Sequence, residues 1–350
     1  MYNRLILVAG ASGSGTSLFA GILAALGCHV PQPEAGGGGE PKGFGEPQWV
    51  ANFHTKLLRK ANVHMADARP SSWAQTAHVG REATVQSELE KWIGNTFNNN
   101  DHVVIRDPRL AWFLPAWRRA GETVATPCFV TVLRHPVDVI GNREPGYSGR
   151  WNNNALTAGW INAMLYTERA TRGDRRAFVR YDDLQSDAML EVSRISEYLD
   201  LELVDRPMPA QMRVATSLVD PAAGKSRSTW ESLEVDRRLV DLAESVMGVL
   251  GKAAGSTDFD AEEMRSELDV LRQTYVDLYR FAASTAQFSM GGGRGGGGGS
   301  GQASNGSLLS SDSMRQLFRR ARRKSKRTVH QLKEGRKTEG AGEGPSDKGS

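Results

Sequence analysis

The chain has 350 residues, 39% of them hydrophobic, enough for one α/β domain of about 250–300 residues with appendages. It contains no run of about 18 apolar residues, which argues against a membrane-spanning helix, and its two cysteines, Cys28 and Cys128, argue against a disulfide scaffold and for a reducing compartment. The net charge of +4 is uneven: from Met314 onward 12 Lys and Arg stand against 4 Asp and Glu, while the residues before it hold 32 against 36, so a basic total does not make the folded part a nucleic-acid binder.

In chain order, Leu5-Ile6-Leu7-Val8 is a continuous apolar run, as a strand buried on both faces requires; it is too short for a signal-peptide core. Gly10-Ala11-Ser12-Gly13-Ser14-Gly15-Thr16-Ser17 follows. Leu18, Phe19, Ile22, Leu23 and Leu26 then recur at helical spacing until Gly27, and Gly36 to Gly39 read as a flexible insert. Further strands are expected at 103–105, 128–133 and 177–181, with helices at about 48–61, 81–97, 110–120, 136–142 and 154–171. That alternation predicts an α/β fold: a parallel sheet with helices on both faces, three layers, and a largely helical C-terminal part. Amphipathic segments at 187–199, 234–250 and 261–283 supply the latter, the last a core stripe or a seam for a homodimer. The expected organisation is a domain over 1–288, a Gly/Ser-rich linker over 289–313 and a basic tail over 314–350, either disordered or lying on a membrane surface.

A glycine loop between a buried strand and a helix is an anion site, because its amides converge and the helix dipole adds partial positive charge. The spacing Gly10-x4-Gly15-Thr16-Ser17 is close to the phosphate loop of nucleotide hydrolases, but Thr16 stands where that loop carries its lysine. A γ-phosphate would lose its main partner, which disfavours an ordinary ATPase or kinase. No zinc-ligand spacing joins His29, His54, His64 and Cys28, so no metal is expected.

Ser14-Gly15-Thr16-Ser17 ahead of an apolar helix resembles the first signature of the sulfotransferase family, whose donor is 3′-phosphoadenosine-5′-phosphosulfate (PAPS) and whose fold is similar to that of P-loop nucleotide kinases. Arg134-His135-Pro136-Val137-Asp138, at a strand end, resembles the family's second signature; Asn142 falls where the family places a hydroxyl eight positions after the arginine. Three more stretches carry the likeness: Arg106-Asp107-Pro108-Arg109, Lys42-Gly43-Phe44-Gly45-Glu46, and Arg180-Tyr181-Asp182-Asp183-Leu184. Together they span roughly residues 4 to 230, and similarity to bacterial, actinobacterial-type members is expected.

The resemblance implies transfer of a sulfuryl group from PAPS to a hydroxyl acceptor, a small molecule such as a carbohydrate, or a glycolipid. It assigns Gly13, Ser14, Gly15, Thr16 and Ser17 to the donor's 5′-phosphosulfate, and Arg134, Asn142 and Arg227 to its 3′-phosphate. Gly13 departs from the lysine or arginine the family carries there; Arg106 is the substitute for that charge, with Arg109 second. Glu46 is the first choice of base and Glu34, just after the first helix, the second; His54 and His29 are lesser candidates. An acceptor pocket is expected from the loops 60–80 and 143–157, with Trp73, Tyr147, Trp151 and Trp160 as candidates to line it. The alternatives are an ATP-dependent small-molecule kinase and a nucleotide-binding module without turnover. A cytoplasmic enzyme is expected, with the tail reaching anionic lipid at the inner face of the membrane and no specific nucleic acid as partner.

Overall fold

The computed structural model describes residues 3–31, 34–35, 46–98, 100–142, 152–201, 209–219, 228–256 and 260–291. Strand β1 (Arg4–Gly10) is buried along its whole length. It pairs in parallel with β4 (His102–Arg106) on one side and β5 (Thr126–Leu133) on the other, and β6 (Arg176–Arg180) extends the sheet beyond β5. The order is therefore β4-β1-β5-β6, all parallel. His29 lengthens the other edge by a single parallel bridge, its N–H donating to His102 O at 2.8 Å and its O accepting from Val104 N at 2.9 Å.

Side chains alternate across the sheet and need cover on both sides. Leu5, Leu7, Val103, Ile105 and Phe129 pack into one apolar cluster with α2 (Gln48–Ala61), α3 (Ser72–Gly80), α4 (Ala83–Phe97) and α5 (Leu114–Gly121). The opposite face is covered by α1 (Thr16–Ala25), α9 (Ala188–Leu199) and α12 (Arg237–Ala254), which touch β1, β4, β5 and β6. The fold is thus α/β with helices on both faces of a parallel sheet. Its other described elements are a two-stranded antiparallel hairpin, β2 (Glu34–Ala35) with β3 (Glu46–Pro47), and a 3-10 turn at Leu110–Phe113. The helices α6 (Pro136–Gly141), α7 (Asn153–Ala170), α8 (Tyr181–Ser186), α10 (Pro209–Ser217) and α11 (Trp230–Leu233) complete the first unit.

The chain divides into two units, Met1–Asp260 and Ala261–Ser350. The described part of the second is α13 (Glu262–Gly291). No helix of the described residues is long and apolar enough to cross a membrane. Arg227, Tyr147 and Trp151, the 289–313 linker beyond Gly291 and the basic tail lie outside the described residues.

From β1 the chain reaches β4 on one side, then crosses to β5 on the other. The crevice beyond the C-terminal ends of β1, β4 and β5 is therefore a topological switch point, where open α/β sheets bind ligands.

Candidate functional site

The β1–α1 loop opens into this crevice. Gly15 sits at φ 97° and is the N-cap of α1, and among the described residues no side chain caps the first turn. An added methyl group at Gly15 would lie 2.7 Å from Cε2 of Tyr181, so the loop abuts the edge of the Tyr181 ring. Gly13 has φ +84°, so a lysine or arginine on this backbone would hold a strained left-handed conformation. The Gly13 carbonyl accepts from Arg134 Nη1 at 3.0 Å, and the Arg134 guanidinium also stands 4.2 Å from the Tyr181 ring centre.

A cleft of about 810 Å³ surrounds the loop, within the roughly 300–1,000 Å³ of small-molecule sites. Its lining includes Gly13, Gly15, Thr16, Ser17, Glu46, Arg106, Arg134 and Asn142, so the structure brings most of the expected residues to one place. Ser14 is buried, and its hydroxyl is unpartnered among the described residues. Glu34 pairs through its backbone with the Glu46 strand, in register with Pro47; its side chain lies outside the described residues.

Arg106 ends β4 and hydrogen-bonds Ser17 Oγ through Nη2, with Glu46 Oε1 3.8 Å from Nη1. Arg109 grips Glu46 Oε2 from Nη2 at 2.7 Å and from Nη1 at 3.2 Å. Behind them Asp107 accepts from Arg109 N at 2.7 Å and pairs with Arg109 Nη1 at 3.2 Å and His54 Nδ1 at 3.1 Å. Trp117 Nε1 donates to His54 Nε2 at 2.8 Å. An indole N–H can only donate, so Nε2 keeps its lone pair and Nδ1 carries the proton given to Asp107. His54, fully buried and saturated on both nitrogens, is a structural strut and not a base.

The carboxylates of this cluster diverge. Burial pushes Glu46 above the ordinary carboxylate range, and the neighbouring Asp107 charge adds to the shift; Arg109 and Arg106 oppose it without cancelling it. Burial would raise Asp107 too, but His54 and Arg109 outweigh it and hold that carboxyl below the usual range. The cluster therefore pairs a carboxyl held low at its base with one raised at the cleft.

No family model matches the chain, and no curated protein does. Among solved structures, the sulfotransferase domain from the Synechococcus PCC 7002 olefin synthase is similar over 69% of this chain and 94% of its own, at 16% identity and a TM-score of 0.38. The sulfotransferase domain from the curacin biosynthetic pathway is similar over 71% of this chain and 96% of its own, at 15% identity and a TM-score of 0.37. At this distance the likeness carries nothing about chemistry, which rests on the cleft's own residues.

Trp160 lines the cleft, as expected from the sequence. Trp73 instead backs its wall, stacked on Trp112 at 4.3 Å and on Tyr166 at 4.8 Å. His64 and Met65 fall within 60–80 and Leu156 within 143–157, the segments expected to build the acceptor pocket; the sequence reading missed Trp112 as a lining residue and the Asp107–His54–Trp117 chain. The spacing of His54 on α2 gave no sign of Trp117, 63 positions away.

Proposed function

We propose that the protein transfers a sulfuryl group from PAPS to a hydroxyl acceptor. The observation that carries this reading is the convergence of Arg106 and Arg134, from strands on either side of β1, upon a glycine loop that has Thr16 in place of a lysine. The Ser14 hydroxyl and the Arg106 Nε, both buried without a protein partner among the described residues, are the donors expected where an anion completes the site.

The donor would supply an activated sulfuryl group on a good leaving phosphate. The residues of the cleft supply position and charge. The amides of Gly13 and of Gly15 to Ser17, with the hydroxyls of Thr16 and Ser17, would hold the 5′-phosphosulfate, the Ser14 amide being committed to Ala11 O at 2.9 Å; Arg106 would neutralise charge on the departing phosphate oxygen. Arg134 and Asn142, with Arg227, would hold the 3′-phosphate. Glu46 accepts the acceptor's proton as the new oxygen–sulfur bond forms and the bond to the phosphate oxygen breaks, releasing 3′,5′-bisphosphoadenosine.

Thermal-shift titration tests this. The expected result is stabilisation by 3′,5′-bisphosphoadenosine and none by ATP with magnesium. Stabilisation by ATP with magnesium alone would replace sulfuryl transfer by phosphoryl transfer, and stabilisation by neither would remove nucleotide binding altogether.

A further inference from the structure

We infer that the protein has a second small-molecule site, apart from the glycine loop, that takes a small organic anion carrying one N–H or O–H donor. The site is a cavity of about 310 Å³ lined by α3, α4, α5 and the 3-10 turn, at the lower end of the roughly 300–1,000 Å³ of small-molecule sites. It shares one lining residue, Trp112, with the cleft around the loop, and it stands independently of the sulfuryl-transfer reading.

The site is built around an acceptor that the fold leaves unused. Gln86 is 8% exposed, and its Nε2 donates to Gly80 O at 2.7 Å and to Ala116 O at 3.4 Å. Both amide hydrogens are thereby spent on carbonyls, so the amide cannot be turned round without setting oxygen against oxygen. The remaining atom, Oε1, is buried with no partner among the described residues. A buried oxygen in that state is penalised until a donor reaches it, and the cavity that Gln86 lines is the space from which one can come. The frame around it is tight: α3 and α5 meet so closely that an added methyl group at Gly80 would be 3.1 Å from Ala116 Cβ.

The rest of the lining sets the charge of the ligand. Arg81, Arg118 and Arg119 line the cavity against one carboxylate, Glu122. Arg118 is already held: its Nη2 bonds Ala170 O and Asp174 Oδ2, its guanidinium stands 5.4 Å from the Phe129 ring centre, and its Nε is buried without a partner among the described residues. With Arg118 and Asp174 taken as a pair, Arg81 and Arg119 still outnumber Glu122, and neither guanidinium has a partner among the described residues. An anion therefore gains charge-assisted hydrogen bonds here, and a cation would meet an excess of its own sign. The other half of the lining is apolar, and Trp112, Phe113, Pro115 and Ala116 offer a hydrocarbon body its contact. A bare inorganic anion would leave that surface uncovered, and a neutral molecule would leave the arginines unused.

Calorimetric titration of the full chain with indole-5-carboxylate, 2-naphthoate and indole tests the assignment. The first joins an anion to a single N–H, the second lacks the N–H, and the third lacks the charge; none carries a hydroxyl that the proposed reaction could consume. Indole-5-carboxylate should bind about tenfold or more tighter than indole and about threefold or more tighter than 2-naphthoate, with or without saturating 3′,5′-bisphosphoadenosine. Arg81 and Arg119 are exposed; Arg81→Ala with Arg119→Ala should weaken indole-5-carboxylate by about tenfold or more and change bisphosphoadenosine affinity less than about twofold. In Gln86→Met the two aromatic anions should bind alike, and the paired arginine substitutions decide the site should that variant fail to fold. Failure of indole-5-carboxylate to bind overturns the inference, as does equal binding of indole or of 2-naphthoate, or affinity untouched by the paired substitutions. If bisphosphoadenosine displaces indole-5-carboxylate, the anion sits in the cleft and the second site falls. If bisphosphoadenosine fails to bind, the donor reading falls alone, because the titrations without it still decide this site.

Discussion

Glu46 is where the site's physics concentrates in one side chain. Its pKa is raised from 4.5, and only its ionised form accepts a proton. The rate should therefore climb with pH through a midpoint above the ordinary carboxylate range, and kcat/KM against pH measures it; loss of that limb in Glu46→Gln ties it to Glu46, and its persistence there would show the base to be another group. Glu46→Gln should lower kcat by about 100-fold or more while leaving bisphosphoadenosine affinity within a few-fold. Gly15 has φ 97° with the Tyr181 ring against it, so Gly15→Ala should cost about 2 kcal/mol or more in urea unfolding, combining left-handed strain with a clash. Burial pushes the Cys28 thiol up to about 12 and Cys128 to about 11. Neither should react with a thiol reagent at pH 8 until the protein unfolds, and fast labelling of the native chain would contradict their burial.

Elements with a strong period were legible, and those made by long-range contact were not. The run at Leu5–Val8 gave β1, and the apolar spacing over 48–61 gave α2 with its bounds. Helix α3 escaped because Ser72–Gly80 has little amphipathic pattern and is stabilised by the Trp73 stack on Trp112 and Tyr166. The segment expected as one helix at 110–120 is a 3-10 turn followed by α5, broken at Leu114–Pro115. For the site, the loop and both arginines could be read because each follows a strand; the Asp107–His54–Trp117 chain could not, since its members meet only through the fold. Helix α7 shows the energetic side of such meetings. Its fully buried Glu168 pairs with Arg172 at 2.7 Å and Arg176 at 3.2 Å. Glu168→Leu strands buried positive charge and should cost about 3 kcal/mol or more by denaturant titration; a loss under 1 kcal/mol would mean that Asp260, 2.9 Å from Arg176, suffices.

For the whole molecule, charge separates body from tail. The last 37 residues, Met314 to Ser350, hold 12 basic and 4 acidic side chains. A chain lacking 302–350 should lose most of its binding to anionic vesicles, measured by co-sedimentation, with donor binding intact; the full chain's vesicle binding should fall steeply between low and physiological salt. Unchanged vesicle binding after truncation would assign the tail no membrane role.

The order β4-β1-β5 makes the sheet itself a ruler. Arg106 closes the strand on one flank of β1, and Arg134 follows directly after the strand on the other. Backbone pairing sets each interval at about 4.8 Å, and the register puts Arg106 level with Val130, four residues before Arg134, so the two guanidinium stems are rooted well over about 10 Å apart. A nucleotide bearing one anionic group can satisfy one root at a time, whereas a doubly anionic one spans both. Discrimination between adenosine phosphates would thus be written in hydrogen-bond spacing, the dimension of a protein that point mutations alter least.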